Sequence, residues 1–186
     1  MSLHGFCEWL ANTPGSIALH ESEWGYPIVE STHVLTMCLF LGMVIMLDLR
    51  LLSLTLRRVP VSQVAGRLLP WARAGFVVMI ISGALLFYAI PVRAFHNIFF
   101  RIKLVMLVLA GLNAWVFHST VFRRVAEWDL SPVLPQRARM AGAVSLVLWA
   151  SIIVAGRMIA YNWFDCDRQP QPSIVNFLAG CKPDSE

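Results

Sequence analysis

Charge is scarce in this chain. Asp, Glu, Lys and Arg make up 14% of its 186 residues and hydrophobic residues 58%, where an ordinary soluble domain is about 25% charged and about 45–50% apolar. A mean hydropathy of +0.65 agrees, so a water-soluble globule with a charged shell is excluded. No basic stripe is interleaved with exposed aromatics, which excludes nucleic acid as a partner. The first ten residues hold no Lys or Arg, and Glu8 stands where a basic region would precede a signal peptide. No leader is therefore expected, and the first span must direct its own insertion. No lipid-attachment motif is present. HExxH, CxxC, Walker and GxSxG elements are missing, and with them the usual zinc, phosphate and acyl-transfer signatures.

What the chain does hold is four long apolar windows, from about Pro27 to Leu49, Trp71 to Ile90, Phe99 to Val121 and Met140 to Trp163. A spanning helix needs about 20 apolar residues to cross a hydrocarbon core of about 30 Å. Backbone amides in lipid must be satisfied internally, so the windows are helices. Pro27 suits a helix start. Pro70 precedes the second window, and Pro91 ends it. The expected fold is all-α: a polytopic four-transmembrane-helix bundle in residues 27–163, an interfacial amphipathic segment in 1–26 and an outer tail in 164–186. Leu3, Phe6, Cys7 and Leu10 follow helical spacing, which predicts one short interfacial helix before a turn at Asn12-Thr-Pro-Gly.

Orientation follows from the basic residues. Arg50, Arg57, Arg58, Arg67 and Arg73 lie in or beside the first loop, and Arg123, Arg124, Arg137 and Arg139 in the third. The other side carries Arg93, Arg101, Lys103, Arg168 and Lys182, so the bias is nine against five. The basic side is cytoplasmic, which places both termini outside the bacterial inner membrane. Cys166 and Cys181 then fall in the oxidising compartment, where a disulfide between them competes with two free thiols. Cys38 reads as a small apolar packing residue.

Ionisable groups inside spans are costly and mark candidate sites. Glu30, His33, His96, Lys103, Arg157 and Tyr161 can converge at one depth below the outer surface. One haem b fits this set. His33 is the axial metal ligand, with His96 or His20 as a second or none at all, and Lys103 and Arg157 pair with propionates. His118 is too far down the third helix to join His33, and the second and fourth helices hold no histidine, which excludes a two-haem, four-histidine bundle. A structural polar network is the competing reading for the cluster. At the other end Asp48 faces a lock with Arg50 or Arg73, and His118 reads as structural. Met37, Met43, Met46, Met79 and Met106 serve either packing or Cu(I). Ala110-xxx-Ala114, Ser151-xxx-Ala155 and Gly156-xxx-Ala160 allow close helix approach, within the bundle or in a homo-oligomer.

Glu30-Ser-Thr-His33, Asp48-Leu-Arg50, Pro70-Trp71, Ser82-Gly83, Asn97-x-x-Phe100-x-x-Lys103, Asn113 and Gly156-Arg157 resemble a bacterial family of small four-helix membrane proteins, over residues 24–163. The layout is more distantly similar to the HemJ-type protoporphyrinogen oxidases and the CopD copper-resistance proteins. The HemJ resemblance implies haem b, with roles for the positions of His33 and Lys103. Three functions follow as expectations. The first is a b-type cytochrome-like subunit passing electrons between a periplasmic partner and quinone or another membrane subunit. The second is a cofactor-free accessory subunit of a larger membrane complex. The third is a porphyrinogen oxidase. An electron-transfer or accessory role is favoured over a stand-alone enzyme.

Overall fold

The computed structural model describes residues 3–129, 131, 134–161 and 172–179. Among them there is helix and no strand. The chain runs through α1 (Leu3–Ala11), α2 (Pro14–Glu21), α3 (Gly25–Leu51), α4 (Val61–Ala89), α5 (Pro91–His96) and α6 (Ile98–Val116). After turns at Phe117–Val121 and Phe122–Arg124 come α7 (Val125–Trp128), α8 (Gln136–Tyr161) and α9 (Ser173–Ala179). Gly25–Leu51, Val61–Ala89, Ile98–Trp128 and Gln136–Tyr161 are each long and apolar enough to cross a membrane. The tail cysteines Cys166 and Cys181 lie outside the described residues.

The bundle is two helix pairs joined in the middle. α3 packs along α4, α6 packs along α8, and α3 meets α8. At the centre Phe40 of α3 and Trp149 of α8 pack edge to face, with ring centroids 4.8 Å apart, beside Leu41, Ala72, Met79, Ala110 and Ile152. Such a ring pair adds about 0.5–1.5 kcal/mol beyond its buried area. Met79 is part of this core, and Met37, Met43 and Met106 pack against it. The outward faces of the spans, among them Leu39, Val105, Val108, Leu112 and Val147, are exposed apolar surface suited to lipid. Cys38 belongs to that exposed face and not to the packed interior expected of it.

A second core forms at the end away from the amino terminus. Leu47 and Leu51 of α3 meet Val61, Val64 and Ala65 of α4, with Trp128, Leu134 and Ala138. This core explains why α4 starts at Val61, some ten residues before the apolar window. Its first turns are amphipathic: Val61, Val64 and Ala65 are buried while Gln63 and Arg67 are exposed. Pro70 therefore lies inside the helix and does not precede it. Gly142 closes the α3–α8 crossing, because a Cβ there would meet the Asp48 carbonyl oxygen and the Leu51 Cβ, both at 3.1 Å.

The third span continues beyond α6 through a π-helical turn at Phe117–Val121. It carries His118, which is exposed and stacks on Phe122 with centroids 5.3 Å apart. The amino-terminal segment is two short helices where one was expected. Thr13 caps α2, its hydroxyl accepting from the Ser16 N–H at 3.4 Å, and Pro14 takes the first helical position. Both helices fold onto the end of α4. The Thr13 hydroxyl lies 2.8 Å from the Tyr88 hydroxyl, and the Ser16 hydroxyl donates to the Tyr88 carbonyl at 2.7 Å. Gly15 permits this approach, since a Cβ there would fall 2.6 Å from the Tyr88 hydroxyl.

Candidate functional site

The spans place His33 (α3), Ser82 and Gly83 (α4), Lys103 (α6) and Gly156 (α8) each within about two turns of the amino-terminal end of the bundle. His33 is half-buried, and its Nδ1 lies 2.9 Å from the Ser82 hydroxyl oxygen. That hydroxyl can give its own proton to the backbone, to the Val78 carbonyl at 2.8 Å and the Met79 carbonyl at 3.2 Å. With the hydroxyl proton on the backbone, the oxygen accepts from an imidazole protonated on Nδ1; with the other tautomer the hydroxyl donates to Nδ1 instead. The ring also hydrogen-bonds the Met79 backbone. Gly83 lets the ring lie against α4, because a Cβ there would stand 3.1 Å from the His33 Cε1.

Lys103 approaches from the other helix pair. Its Nζ would lie 3.6 Å from a Cβ at Gly156, so the small residue makes room for the ammonium. No carboxylate pairs with it among the described residues. The site is thus a half-buried imidazole held against α4 and, at the same depth, a half-buried cation with no carboxylate partner among the described residues.

The remaining expected members are arranged differently. Glu30 is exposed, a turn nearer the helix start. Arg157 is exposed and turns along its own helix to Tyr161, with Nη2 3.5 Å from the phenolic oxygen and the guanidinium 5.3 Å from the ring centroid. His96 ends the short helix α5, where its ring lies 5.0 Å from the ring of His4 and 5.4 Å from that of Phe95. His20 is exposed on α2 and meets the edge of Tyr26 at 6.4 Å. Among the described residues no group of three or more His, Cys, Asp or Glu side chains forms a metal-holding cluster.

At the opposite end the expected lock does not form. Arg50 is buried and its Nε donates to the Val59 carbonyl at 2.8 Å, Arg73 is exposed, and among the described residues no ion pair reaches Asp48. The reason is directional. Arg50 follows Asp48 by two residues, so the two side chains leave the helix on different faces.

Three contributors carry little signal in the sequence. Ser82 and Gly83 stood out as a pair but were given no role, and a serine in an apolar run signals little because its hydroxyl commonly bonds back to its own helix. His4, the neighbour of His96, lies in a segment read only for its apolar spacing.

Neither a curated protein nor a solved structure matches the chain. One sequence family, a family of unknown function, matches residues 15–162. That stretch covers every span and the whole His33–Lys103 site, and the chain belongs to this family, DUF6644.

Proposed function

We propose that this chain is a b-type cytochrome-like subunit of the bacterial inner membrane, with both termini outside, that holds one haem near the outer face for electron transfer. The observation that carries the reading is the contact of His33 Nδ1 with the Ser82 hydroxyl, itself bonded to the Val78 carbonyl; with the ring proton on Nδ1, Nε2 would be the ligating nitrogen. A partner on the far ring nitrogen that fixes the tautomer is the usual support for a ligating histidine. Lys103, with no carboxylate of its own, suits a propionate, as it would any anionic group at that depth. Arg157 reaches a second carboxylate by leaving Tyr161. His96 would have to give up His4 to become a second ligand, so ligation by His33 alone is the form the geometry supports. Haem supplies one-electron redox chemistry, and ligand identity and burial tune it. The chain's own residues bind, orient and keep water away. Electrons would pass between an outer redox partner and quinone or a further membrane subunit.

The test is the reduced-minus-oxidised absorbance spectrum of protein purified from cells supplied with haem. A b-type signal lost in His33→Ala supports the reading, and a featureless spectrum from folded, haem-supplied protein overturns it.

A cofactor-free accessory subunit is the second reading. Two surface clefts, of about 300 and about 370 Å³, are lined by neither His33 nor Lys103, and Arg157 is exposed and turned to Tyr161. Co-purification with other membrane subunits and no visible absorbance would favour this. The likeness to porphyrinogen oxidases rests on His33 and Lys103 alone, and rescue of a strain lacking that oxidation step decides it.

A further inference from the structure

Asp48 is three residues from the end of α3 and is 5% exposed. Its Oδ2 has no hydrogen-bond partner. The Ser145 side chain, from α8, makes one hydrogen bond to the carboxyl. Beside it α8 comes unusually close at Gly142, 3.1 Å from the Asp48 carbonyl oxygen for a Cβ built there. α6 contributes a neutral amide on the same stretch of α8: Asn113 Nδ2 donates to the Ala141 carbonyl at 3.0 Å. Among the described residues no cationic side chain pairs with it. Arg50 is engaged at the Val59 carbonyl, and Arg67 and Arg73 of α4, His118 of the third span, and Arg137 and Arg139 of α8 are all exposed. The flanking residues Leu47 and Leu51 belong to the dry core.

A carboxylate stripped of water with no counter-charge is too costly to persist, and it acquires a cation or is replaced by an apolar group. Here the carboxyl is present, buried and aimed into packed surroundings with one oxygen open. We propose that Asp48 is a small-cation site, filled from the aqueous phase at the end away from the amino terminus by either a proton or a sodium-sized monovalent ion. Among the described residues no three-residue ligating cluster includes it, so the proton is the favoured occupant. The site lies 15 residues from His33, about 22 Å along the helix, and stands whether or not haem is bound.

Difference infrared spectroscopy of the full chain in lipid, with pH stepped in sodium-free and sodium-containing buffer, tests this. The expected result is a protonated-carboxyl band absent from Asp48→Asn and titrating with pH. If sodium erases that band at fixed pH, the metal ion competes for the same oxygen, and the site is a cation site shared by both. Ser145→Ala keeps the carboxyl while removing its hydrogen bond, and it should move the proton concentration at the midpoint by about fivefold. An Asp48 carboxyl that titrates in the ordinary range of a water-exposed aspartate, about 3.9, with no sodium-dependent change, overturns the proposal. So does a carboxyl band that survives intact in Asp48→Asn.

Discussion

The His33 ring nitrogen Nδ1 lies 2.9 Å from the hydroxyl oxygen of Ser82, across the α3–α4 contact. Replacement by alanine takes this hydroxyl away from the imidazole. Ser82→Ala should lower stability by about 1 kcal/mol and, in haem-loaded protein, weaken cofactor retention by about 10–100-fold. Ser82→Thr keeps the oxygen and should behave as the parent. Thermal unfolding in detergent and titration with haem read the two effects separately; equal behaviour of alanine and threonine variants would remove the role assigned to the hydroxyl.

Gly142 should tolerate no larger residue. A Cβ there meets backbone of α3 at 3.1 Å, and backbone cannot rotate out of the way. Gly142→Val is expected to cost about 1–3 kcal/mol by overpacking. Gly111, by contrast, has nothing within 4 Å of its would-be Cβ, so Gly111→Ala should be neutral or slightly stabilising within a helix. The two variants compared by detergent-resistant unfolding form an internal control.

Tyr88 pins the amino-terminal helices. Tyr88→Phe removes the phenol that meets the Thr13 hydroxyl but keeps the ring and the carbonyl that accepts from Ser16. A loss of about 1 kcal/mol should appear as faster amide exchange in α1 and α2, with the spans unchanged. Gly15→Ala should loosen the same helices more, by forcing the Tyr88 ring aside. Exchange rates that rise equally throughout the bundle would contradict this local account.

Cys7 provides a pH signature outside the spans. It is 3% exposed, and burial raises its thiol above the ordinary value by penalising the thiolate. The folded protein thus keeps this proton to higher pH than the unfolded chain does. Stability owed to Cys7 is unchanged below the ordinary thiol range of about 8.5 and declines as pH rises from there through the folded value. Cys7→Ala should flatten the alkaline slope of the unfolding curve, and parallel slopes would refute the assignment.

The four spans were legible because length and apolarity alone decide whether a helix can cross a bilayer. What escaped was geometry that periodicity does not carry. Val61–Leu69 reads as loop because Gln63 and Arg67 dilute its hydropathy, yet its buried stripe extends α4. The depth of His33 and Lys103 was readable by counting residues from each window's edge. The direction of a side chain was not. Arg157 turns along its helix to Tyr161, and His96 is placed by the break at Asn97, whose side chain caps α6 by accepting from Phe99 and Phe100. Asp48 was noticed for its charge, but its isolation depends on Arg50 finding a carbonyl in the following loop.

The length of α4 has a further physical meaning. Its 29 residues run about 43 Å at about 1.5 Å each, against about 30 Å of hydrocarbon. Set upright in a bilayer, such a helix would carry its first turns, with Val61, Val64 and Ala65, beyond the hydrocarbon as a stalk. The stalk gathers Leu47, Leu51, Trp128 and Leu134 by exclusion of water, while the helices above it cohere by close contact against an equally oily solvent. Two solvents hold one chain together, so urea should loosen the stalk before the embedded part, and a harsh detergent should do the reverse.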